Sequence, residues 1–470
     1  MLFRSNEEYD GLDDMNVFDL ISEEKYQQLV AKHGDNAQAI PSMNLFTVKK
    51  DKNGNPVRAK SRIVVLGNLE RRIWSREDRY APVLSSISTR LLVSMACQDG
   101  RTLKSGDCKN AFCNGILPDD EICIVKPPKG CPRTPKGYYW KLNKTLYGLC
   151  RSPHHWYKKI TGHLIKDMGF KAMPQDNCVL KCTPIPGEPP IYVGIYVDDF
   201  IYYSKSDKVE QWFESNLKSH VKVDFMGDVE WFLGQRYEWH RSIDGEVSCH
   251  ISQEAFIDEL LDKHGMTDSK LAKTPYRSGC VIDRIPEDDI ALEDKKELVH
   301  AYQSILGCLN WLCINTRPDI STVYKLLSRF NSKPSQGHLD AAKYVLRYLK
   351  HTASLGIWFQ QNGKPLESCV SMPVDMTEES CVVFTDSNWG PQDASKPKEN
   401  ETRTVDMEEL KSVQEYYITR MGGPIMWGVT REKRGSRSSC IAELKAIDEG
   451  IKGIQFLRKL MGQLGLPDEI

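Results

Sequence analysis

The stretch IYVGIYVDDFIYY, residues 191–203, decides how this sequence is interpreted. Aliphatic and aromatic residues flank Asp198 and Asp199 on both sides, which predicts a β-hairpin with the acidic pair at its tip. Adjacent carboxylates repel each other, and each costs free energy when it loses water. A divalent cation relieves both effects, because Mg²⁺ binds carboxylate oxygens and keeps positions for water and phosphates. The hairpin therefore predicts a magnesium site, with a solvated turn as the simpler alternative.

A second acidic motif lies upstream, at SGDCKNAFCNG, residues 105–115. This segment and YVDDF resemble the two carboxylate motifs of reverse transcriptases from copia-type LTR retrotransposons. Between them, LNKTLYGLCRSP at 142–153 resembles the template and nucleotide-binding segment of that family. The likeness extends from about residue 40 to 470, through RAKSRIVV at 58–65, YAPV at 80–83, WFLG at 231–234, TRPDI at 316–320 and AAKYVLRYLK at 341–350.

The resemblance implies a nucleotidyltransferase that adds deoxynucleotides to a primer on an RNA or DNA template. Two Mg²⁺ ions, for which Mn²⁺ can substitute, are expected on Asp107, Asp198 and Asp199. One ion would activate the primer 3′-hydroxyl, and the other would neutralise charge on the triphosphate. Asp107 and Asp198 would bridge the ions, and Asp199 would have a weaker claim on them. Positioning and charge would then account for most of the rate.

The resemblance also assigns a nucleotide-binding set. Lys60 and Arg62 alternate along one predicted strand, so they share a face and suit one phosphate cluster. Phe112 matches the aromatic residue under the nucleotide sugar, where it would exclude a 2′-hydroxyl. Tyr147 would contact the template strand or nucleotide, and Gly148 would let the backbone approach the nascent base pair. The alternatives are surface charge for the two cations and core packing for Phe112.

Primer and template contacts are assigned in the same way. Residues 122–166 carry ten Lys/Arg and no Asp or Glu, and residues 49–79 carry ten against four. Basic runs with interleaved aromatic rings suit a single-stranded template, although a solvated basic face has the same composition. The residues expected to contact primer or template are Tyr196, Arg151 and the WFLG segment, which comprises Trp231, Phe232, Leu233 and Gly234.

The C-terminal region resembles an incomplete ribonuclease H domain. TDSNWG at 385–390 and SSCIAEL at 438–444 are similar to its first two carboxylate motifs, so Asp386 and Glu443 are candidate metal ligands. The sequence given ends at residue 470, before the strand that would supply a third carboxylate. Asn388 and Ile441 stand where the family usually has acidic residues. We expect no ribonuclease H activity from this chain alone, and a purely structural role for the two acids is the alternative.

The fold class expected is α+β: a right-hand polymerase of fingers, palm and connection with an antiparallel palm sheet, followed by a partial ribonuclease H-like α/β domain. Helical periodicity predicts helices at 253–265 and 339–351. The charged stretch 395–413 is expected to be an exposed loop. The expected divisions are a mostly helical lead-in at 1–40, fingers and palm at 41–243, a thumb or connection region at 244–375 and the ribonuclease H-like part at 376–470.

The amino-acid composition indicates which broad class of protein this is. The 470 residues are 40% hydrophobic and 27% charged, with a net charge of −1, as in an ordinary soluble globular protein. The close cysteine pairs, 178/182 and 308/313, lack the matching pair of a structural zinc site, and the free thiols suggest a reducing compartment.

The family resemblance also implies binding partners and cellular locations. These are RNA and DNA template-primer, deoxynucleoside triphosphates, and capsid and integrase of the same element. Virus-like particles in the cytoplasm, or the nucleus, are the expected locations, without a membrane. Two rivals remain open: an inactive or domesticated remnant, and a nucleic-acid-binding protein that uses the basic groove without catalysis.

Overall fold

The computed structural model describes residues 2–50, 56–131, 133–277, 282, 285–286, 292–361, 381–388, 411–433, 435–436 and 438–466. These residues form four sheets, and all strand pairs but one are antiparallel. The α+β fold class is therefore confirmed. Most of the charged stretch expected to be a loop, 395–410, lies outside the described residues. Within the described part of the chain, no helix is both long enough and apolar enough to span a membrane.

The first sheet, which we call the fingers sheet, has the strand order β1-β6-β5-β2-β3. Strands β2 and β3 form its longest antiparallel pair. Helix α1 (Leu2–Asp14) packs on β3, α2 (Glu23–His33) packs beside β1, and the short helix α3 (Arg76–Arg79) follows β3 in the chain. The N-terminal 40 residues thus contribute a strand and two helices to the fingers. The strands are β1 (Phe18–Ser22), β2 (Ile40–Lys50), β3 (Pro56–Val65), β5 (Ile124–Lys126) and β6 (Tyr138–Leu142).

The second sheet, the palm sheet, is fully antiparallel in the order β11-β4-β10-β9-β8-β7. Its central strands are buried on both faces, which explains their nearly continuous apolar sequence. Helix α4 (Ser86–Gln98) covers the face with Ile201 and Tyr203, whereas α5 (Ser152–Gly162) and α6 (Asp207–His220) cover the face with Phe200 and Tyr202. The strands are β4 (Lys104–Cys108), β7 (Lys171–Met173), β8 (Asp176–Cys182), β9 (Ile191–Tyr196), β10 (Asp199–Ser204) and β11 (Val223–Asp228).

A third sheet and a helical layer follow the palm. The sheet contains β12 (Trp231–Phe232), β13 (Gln235–Arg241), β14 (Val247–Ser252) and β15 (Ile357–Gln360). Between β14 and β15 the chain forms α7 (Glu254–Lys263), α8 (Leu292–Asn315), α9 (Ser321–Ser328) and α10 (Gln336–His351), which share one apolar core. Helices α7 and α10 confirm the two helices predicted from periodicity.

The last sheet joins the palm through a buried arginine. It consists of β16 (Val382–Asn388), β17 (Val413–Arg420) and β18 (Gly423–Arg431), and α11 (Ser439–Leu464) packs on it. Arg90 of α4 donates hydrogen bonds to the carbonyl oxygens of Ile425 (2.8 Å) and Ile314 (2.9 Å), and its guanidinium lies 4.1 Å from the centre of the Trp427 ring. One palm helix is therefore tied both to α8 and to the last sheet.

Candidate active site

Strand register brings the three predicted aspartates together. Asp107 at the end of β4 lies directly opposite Asp199 at the start of β10. Directly opposed residues in an antiparallel pair point to the same face of the sheet. The Cys108 amide also donates a hydrogen bond to the Asp198 carbonyl oxygen at 2.8 Å. Two segments that are distant in sequence thus meet at one edge of the palm sheet.

The acidic pair lies on a tight and strained turn. Tyr196 pairs with Asp199 across the β9–β10 hairpin, so Val197 and Asp198 are the two turn residues. Val197 has φ +57°, in the left-handed region that β-branched residues avoid and that hairpin turns normally fill with glycine. The Trp156 indole of α5 donates a hydrogen bond to the Val197 carbonyl oxygen at 2.6 Å. Helix α5 therefore helps to hold the turn in its strained shape.

The buried thiol next to Asp107 reports on the charge of this site. Burial raises the pKa of Cys108 to about 12, and the nearby carboxylates of Asp107, Asp198 and Asp199 add to the shift. Among the described residues, the three aspartates do not provide three ligand atoms within 4.8 Å of one another. Neighbouring carboxylates repel each other, and a bound cation would draw their oxygens closer together. An all-oxygen donor set of this kind fits Mg²⁺.

A fourth acid shares this face of the sheet. Asp224 of β11 lies directly opposite Asp107, on the side away from Asp199. Its carboxylate forms an ion pair with Lys109 at 2.7 Å and is exposed. Sequence reasoning missed Asp224 because only the strand register places it in the row. Because Lys109 balances its charge, Asp224 is a suitable control residue for substitutions of Asp107, Asp198 and Asp199.

The predicted nucleotide-binding residues form one wall beside the aspartates. The Arg62 guanidinium lies 5.3 Å from the centre of the Tyr147 ring, and the Phe112 ring meets Tyr147 edge-on at a centroid distance of 5.3 Å. Burial raises the pKa of the Tyr147 hydroxyl, and the charge of nearby Asp198 adds to the shift. Arg62, Tyr147 and Phe112 therefore lie together and close to the acidic turn.

An acid on α1 faces the basic strand, and sequence reasoning missed it too. Lys60 and Arg62 both act electrostatically on Glu8, where they oppose the rise in its pKa that burial causes. Strand β3 pairs Lys60 with Thr47 and Arg62 with Leu45, so the two cations share a face as predicted. The N-terminal helix thus supplies a negative charge next to the candidate triphosphate site.

The backbone at Gly148 lies in close contact with strand β3, a contact that the sequence did not predict. The φ of Gly148 is +92°, and a Cβ atom there would lie 2.0 Å from the Val65 carbonyl oxygen. The Val65 amide donates a hydrogen bond to the Tyr147 carbonyl oxygen at 2.7 Å. The glycine is therefore required to lock the loop carrying Tyr147 against the fingers strand. Its approach to a base pair stays a prediction.

The residues assigned to primer and template differ in their surroundings. Trp231 is 42% exposed and Phe232 is buried, and Leu233 and Gly234, both with positive φ, form the turn between β12 and β13. Arg151 pairs with Glu121. Its guanidinium also lies 4.1 Å from the centre of the Trp74 ring. The Arg151 charge is thus already balanced within the fingers, whereas the exposed Trp231 and the half-buried Tyr196 remain accessible.

The two ribonuclease H-like acids lie on different elements, Asp386 on β16 and Glu443 on α11. Thr385 faces α11, since a Cβ at Gly450 would lie 2.7 Å from its methyl group. Strand alternation directs Asp386 to the opposite face, where it lies across from Glu415. Among the described residues, neither acid belongs to a set of three ligand atoms within 4.8 Å.

Comparison with known proteins supplies the family. Residues 24–278 match the family model described as reverse transcriptase (RNA-dependent DNA polymerase). The chain is 28% identical over 424 residues to the retrovirus-related Pol polyprotein from transposon RE1 of Arabidopsis thaliana, covering 90% of this chain and 26% of that protein. For the corresponding polyprotein from transposon TNT 1-94 of Nicotiana tabacum, identity is 26% over 423 residues, with 90% and 29% covered.

Two further proteins are similar to this chain over different fractions of its length. A putative transposon Ty5-1 protein of Saccharomyces cerevisiae is 30% identical over 259 residues, which cover 55% of this chain and 79% of that protein. Among solved structures, a foamy viral protease-reverse transcriptase in complex with double-stranded DNA matches 93% of this chain and 61% of its own, at 14% identity and a TM-score of 0.39. The chain spans about a quarter of the length of the plant Pol polyproteins. Because the family model matches more than half of the 470 residues, this chain belongs to the reverse transcriptase family, in its copia-type branch.

Proposed function

We propose that this chain catalyses RNA- and DNA-templated addition of deoxynucleotides to a primer, as part of a retrotransposon Pol polyprotein. The observation that supports this most directly is the register that places Asp107 opposite Asp199, with Asp198 on the adjoining turn. Polymerisation needs a site where carboxylates can hold two cations near a primer end. An antiparallel sheet edge with three half-buried aspartates has the required donors.

The aspartates would hold two Mg²⁺ ions, with Mn²⁺ as a substitute, and the bound ions would acidify the primer 3′-hydroxyl and neutralise the triphosphate. Asp107 and Asp198 would be the main ligands of these ions, and Asp199 would support them. Lys60 and Arg62 bind the triphosphate oxygens through charge-assisted hydrogen bonds. Trp156 keeps the turn in place through its bond to Val197. The protein thus contributes position and charge rather than covalent chemistry.

The proposed substrate preference depends on Phe112. It lies in the short helical turn Ala111–Asn114 directly after β4, and its ring contacts Tyr147. A ring under the sugar would leave no room for a 2′-hydroxyl. Replacing Phe112 with valine is expected to lower discrimination against ribonucleotides by about 10²-fold, the order of magnitude by which an apolar pocket rejects an added hydroxyl. The measurement is the ratio of kcat/KM for a deoxynucleotide to that for its ribonucleotide.

A matched variant separates selectivity from general damage. Phe256 packs at the edge of the helical core formed by α7 to α10, away from the palm residues. Phe256→Val should leave the discrimination ratio unchanged even if it lowers stability. An unchanged ratio in Phe112→Val would remove the role of this ring as a gate and leave it with a packing role.

The proposed partners are RNA and DNA template-primer, deoxynucleoside triphosphates, and capsid and integrase of the same element. Virus-like particles in the cytoplasm, or the nucleus, are the proposed locations. The basic run 122–166 supports a nucleic-acid partner, since it contains ten Lys/Arg and no Asp or Glu of its own, and only some of its cations, such as Arg151 with Glu121, pair with acids elsewhere in the described part of the chain. The exposed Trp231 on its hairpin offers a surface for a primer strand.

Primer extension by the purified full chain tests the proposal. We expect a labelled DNA primer on an RNA template to be extended with deoxynucleotides in Mg²⁺ and to remain unextended with excess chelator. Binding of template-primer without extension in Mg²⁺ or Mn²⁺ would favour a nucleic-acid-binding protein. Loss of both binding and extension in a folded chain would favour an inactive remnant.

A further inference from the structure

A second group of metal-ligating side chains lies on the helices beneath the palm sheet. His163 and Asp167 are on the π-helical segment His163–Asp167 that continues α5, and His220 is the last residue of α6. One ligand atom from each lies within 4.8 Å of the other two, and the described residues contain one such set. The side chains are 26%, 47% and 29% exposed, so an ion could reach them from solvent.

The distances are close to those of a metal centre. His163 Nδ1 lies 2.7 Å from Asp167 Oδ2, and His220 Nε2 lies 3.9 Å from the same oxygen. Two ligand atoms on one tetrahedral zinc ion, each about 2.0–2.1 Å from it, are roughly 3.3 Å apart. To bind zinc, the His163–Asp167 distance must therefore lengthen by about 0.6 Å, and the His220–Asp167 distance must shorten by the same amount. Partly exposed side chains can make that change by small rotations.

The orientation of His220 supports a ligand role. Its Nδ1 lies 2.8 Å from the carbonyl oxygen of Asn216. A carbonyl oxygen only accepts, so Nδ1 carries the hydrogen and donates it. Nε2 is then the ring nitrogen on the side of Asp167, 3.9 Å from its Oδ2. Histidines that bind metals are usually fixed in this way, with the second ring nitrogen donating to a carbonyl or carboxylate oxygen.

Local backbone geometry supports the same conclusion. The Met168 amide donates to the His163 carbonyl oxygen, five residues back, at 3.1 Å, and this wider turn brings His163 next to Asp167. Such π-helical turns occur often at functional sites. The rings of His163 and His220 have centroids 5.1 Å apart with a single carboxylate between the two residues. Both histidines thus approach one carboxylate, as ligands of a shared ion would.

We propose that His163, Asp167 and His220 bind a transition-metal ion, with Zn²⁺ as the best fit, and that water completes the coordination. Two imidazoles and one carboxylate suit zinc, whereas Mg²⁺ prefers oxygen ligands alone. The ion would join the end of the α5 segment to the end of α6. Helix α6 leads directly into β11, which pairs with β4 along Asp107. The site thus braces the helices that support the catalytic strands, and it stands independently of the proposed polymerase activity.

Calorimetric titration of the metal-stripped full chain with ZnCl₂, in excess MgCl₂ to occupy the aspartates, tests the proposal. We expect one equivalent of zinc bound by the wild type. His163→Ala, His220→Ala and Asp167→Asn should each weaken that binding by at least about tenfold. The exposed His300 of α8 is outside the cluster, and His300→Ala should bind zinc like the wild type.

Cobalt spectroscopy excludes binding by the cysteines. Co²⁺ in the proposed site should give visible ligand-field bands without a thiolate charge-transfer band, and the bands should vanish in His220→Ala. Circular dichroism of each variant confirms that the fold is kept, which is expected because all three side chains are partly exposed. The proposal is overturned if wild type binds no zinc, if the three variants bind it unchanged, or if the cobalt spectrum shows thiolate ligands.

Discussion

Asp198→Asn and Asp107→Asn are each expected to reduce primer extension by on the order of 10³-fold or more, with the fold retained. Asparagine keeps the size of aspartate and one oxygen, but it lacks the negative charge that would hold a cation. The Cys108 amide joins the strand that carries Asp107 to the turn that carries Asp198, so both carboxylates belong to one site. Asp199→Asn should have a smaller effect, because the proposed mechanism gives Asp199 only a supporting role in holding the ions. Single-nucleotide extension rates in Mg²⁺ provide the measurement.

Asp224→Asn is the matched control for these variants. Asp224 lies opposite Asp107 on the same face of the palm sheet, yet its carboxylate is paired with Lys109. An exposed ion pair of this kind contributes little to stability, about 0–1 kcal/mol. Extension by Asp224→Asn should stay near the wild-type rate. If Asp198→Asn and Asp107→Asn extended primers as fast as Asp224→Asn, the two-metal proposal would be lost.

Gly148→Ala is expected to destabilise the chain by about 2–5 kcal/mol, from backbone strain and overpacking together. Alanine rarely adopts φ +92°, and its Cβ would lie 2.0 Å from the Val65 carbonyl oxygen. The backbone must move to relieve this contact, because the Val65 carbonyl oxygen is a main-chain atom and not the free end of a flexible side chain. Tyr147 directly precedes Gly148, so the KM for the nucleotide should also rise. Urea unfolding midpoints and nucleotide titrations measure the two effects.

Gly137→Ala is the control that separates the steric contact with Val65 from the cost of a positive φ. Gly137 has φ +86°, close to that of Gly148, but nothing lies within 4 Å of a Cβ added there. This variant should therefore show only the conformational cost, about 1 kcal/mol. Equal unfolding midpoints for the two variants would mean that the approach to Val65 contributes nothing.

The palm hairpin could be predicted from sequence because its chemistry is local. An apolar run interrupted by two aspartates leaves few alternatives to a hairpin, and the run is apolar on both faces because helices cover both. The partnership of Asp107 with that hairpin came from family resemblance rather than from periodicity. Nothing in the residues 105–115 alone gives the register with β10.

Features that depend on distant packing were not predictable. Strand β1 is five residues long between two helices, and it exists because β6 offers it an edge. Glu121 lies 30 residues from Arg151, so no local pattern indicates that it balances the arginine charge. The face chosen by Asp386 depends on α11, whose Gly450 and Gly453 allow the helix to sit on Thr385 and Ile418.

The N-terminal strand has a consequence for where this chain can be cut into fragments. The segment that matches the family model begins at residue 24, after both α1 and β1. A fragment cut at that boundary would leave the β6 backbone unpaired on one side and would uncover Trp140, on which Phe18 stacks at a centroid distance of 4.3 Å. Open strand edges and newly exposed aromatic rings promote aggregation. Recombinant fragments should therefore start ahead of α1, even though similarity to relatives does not require it.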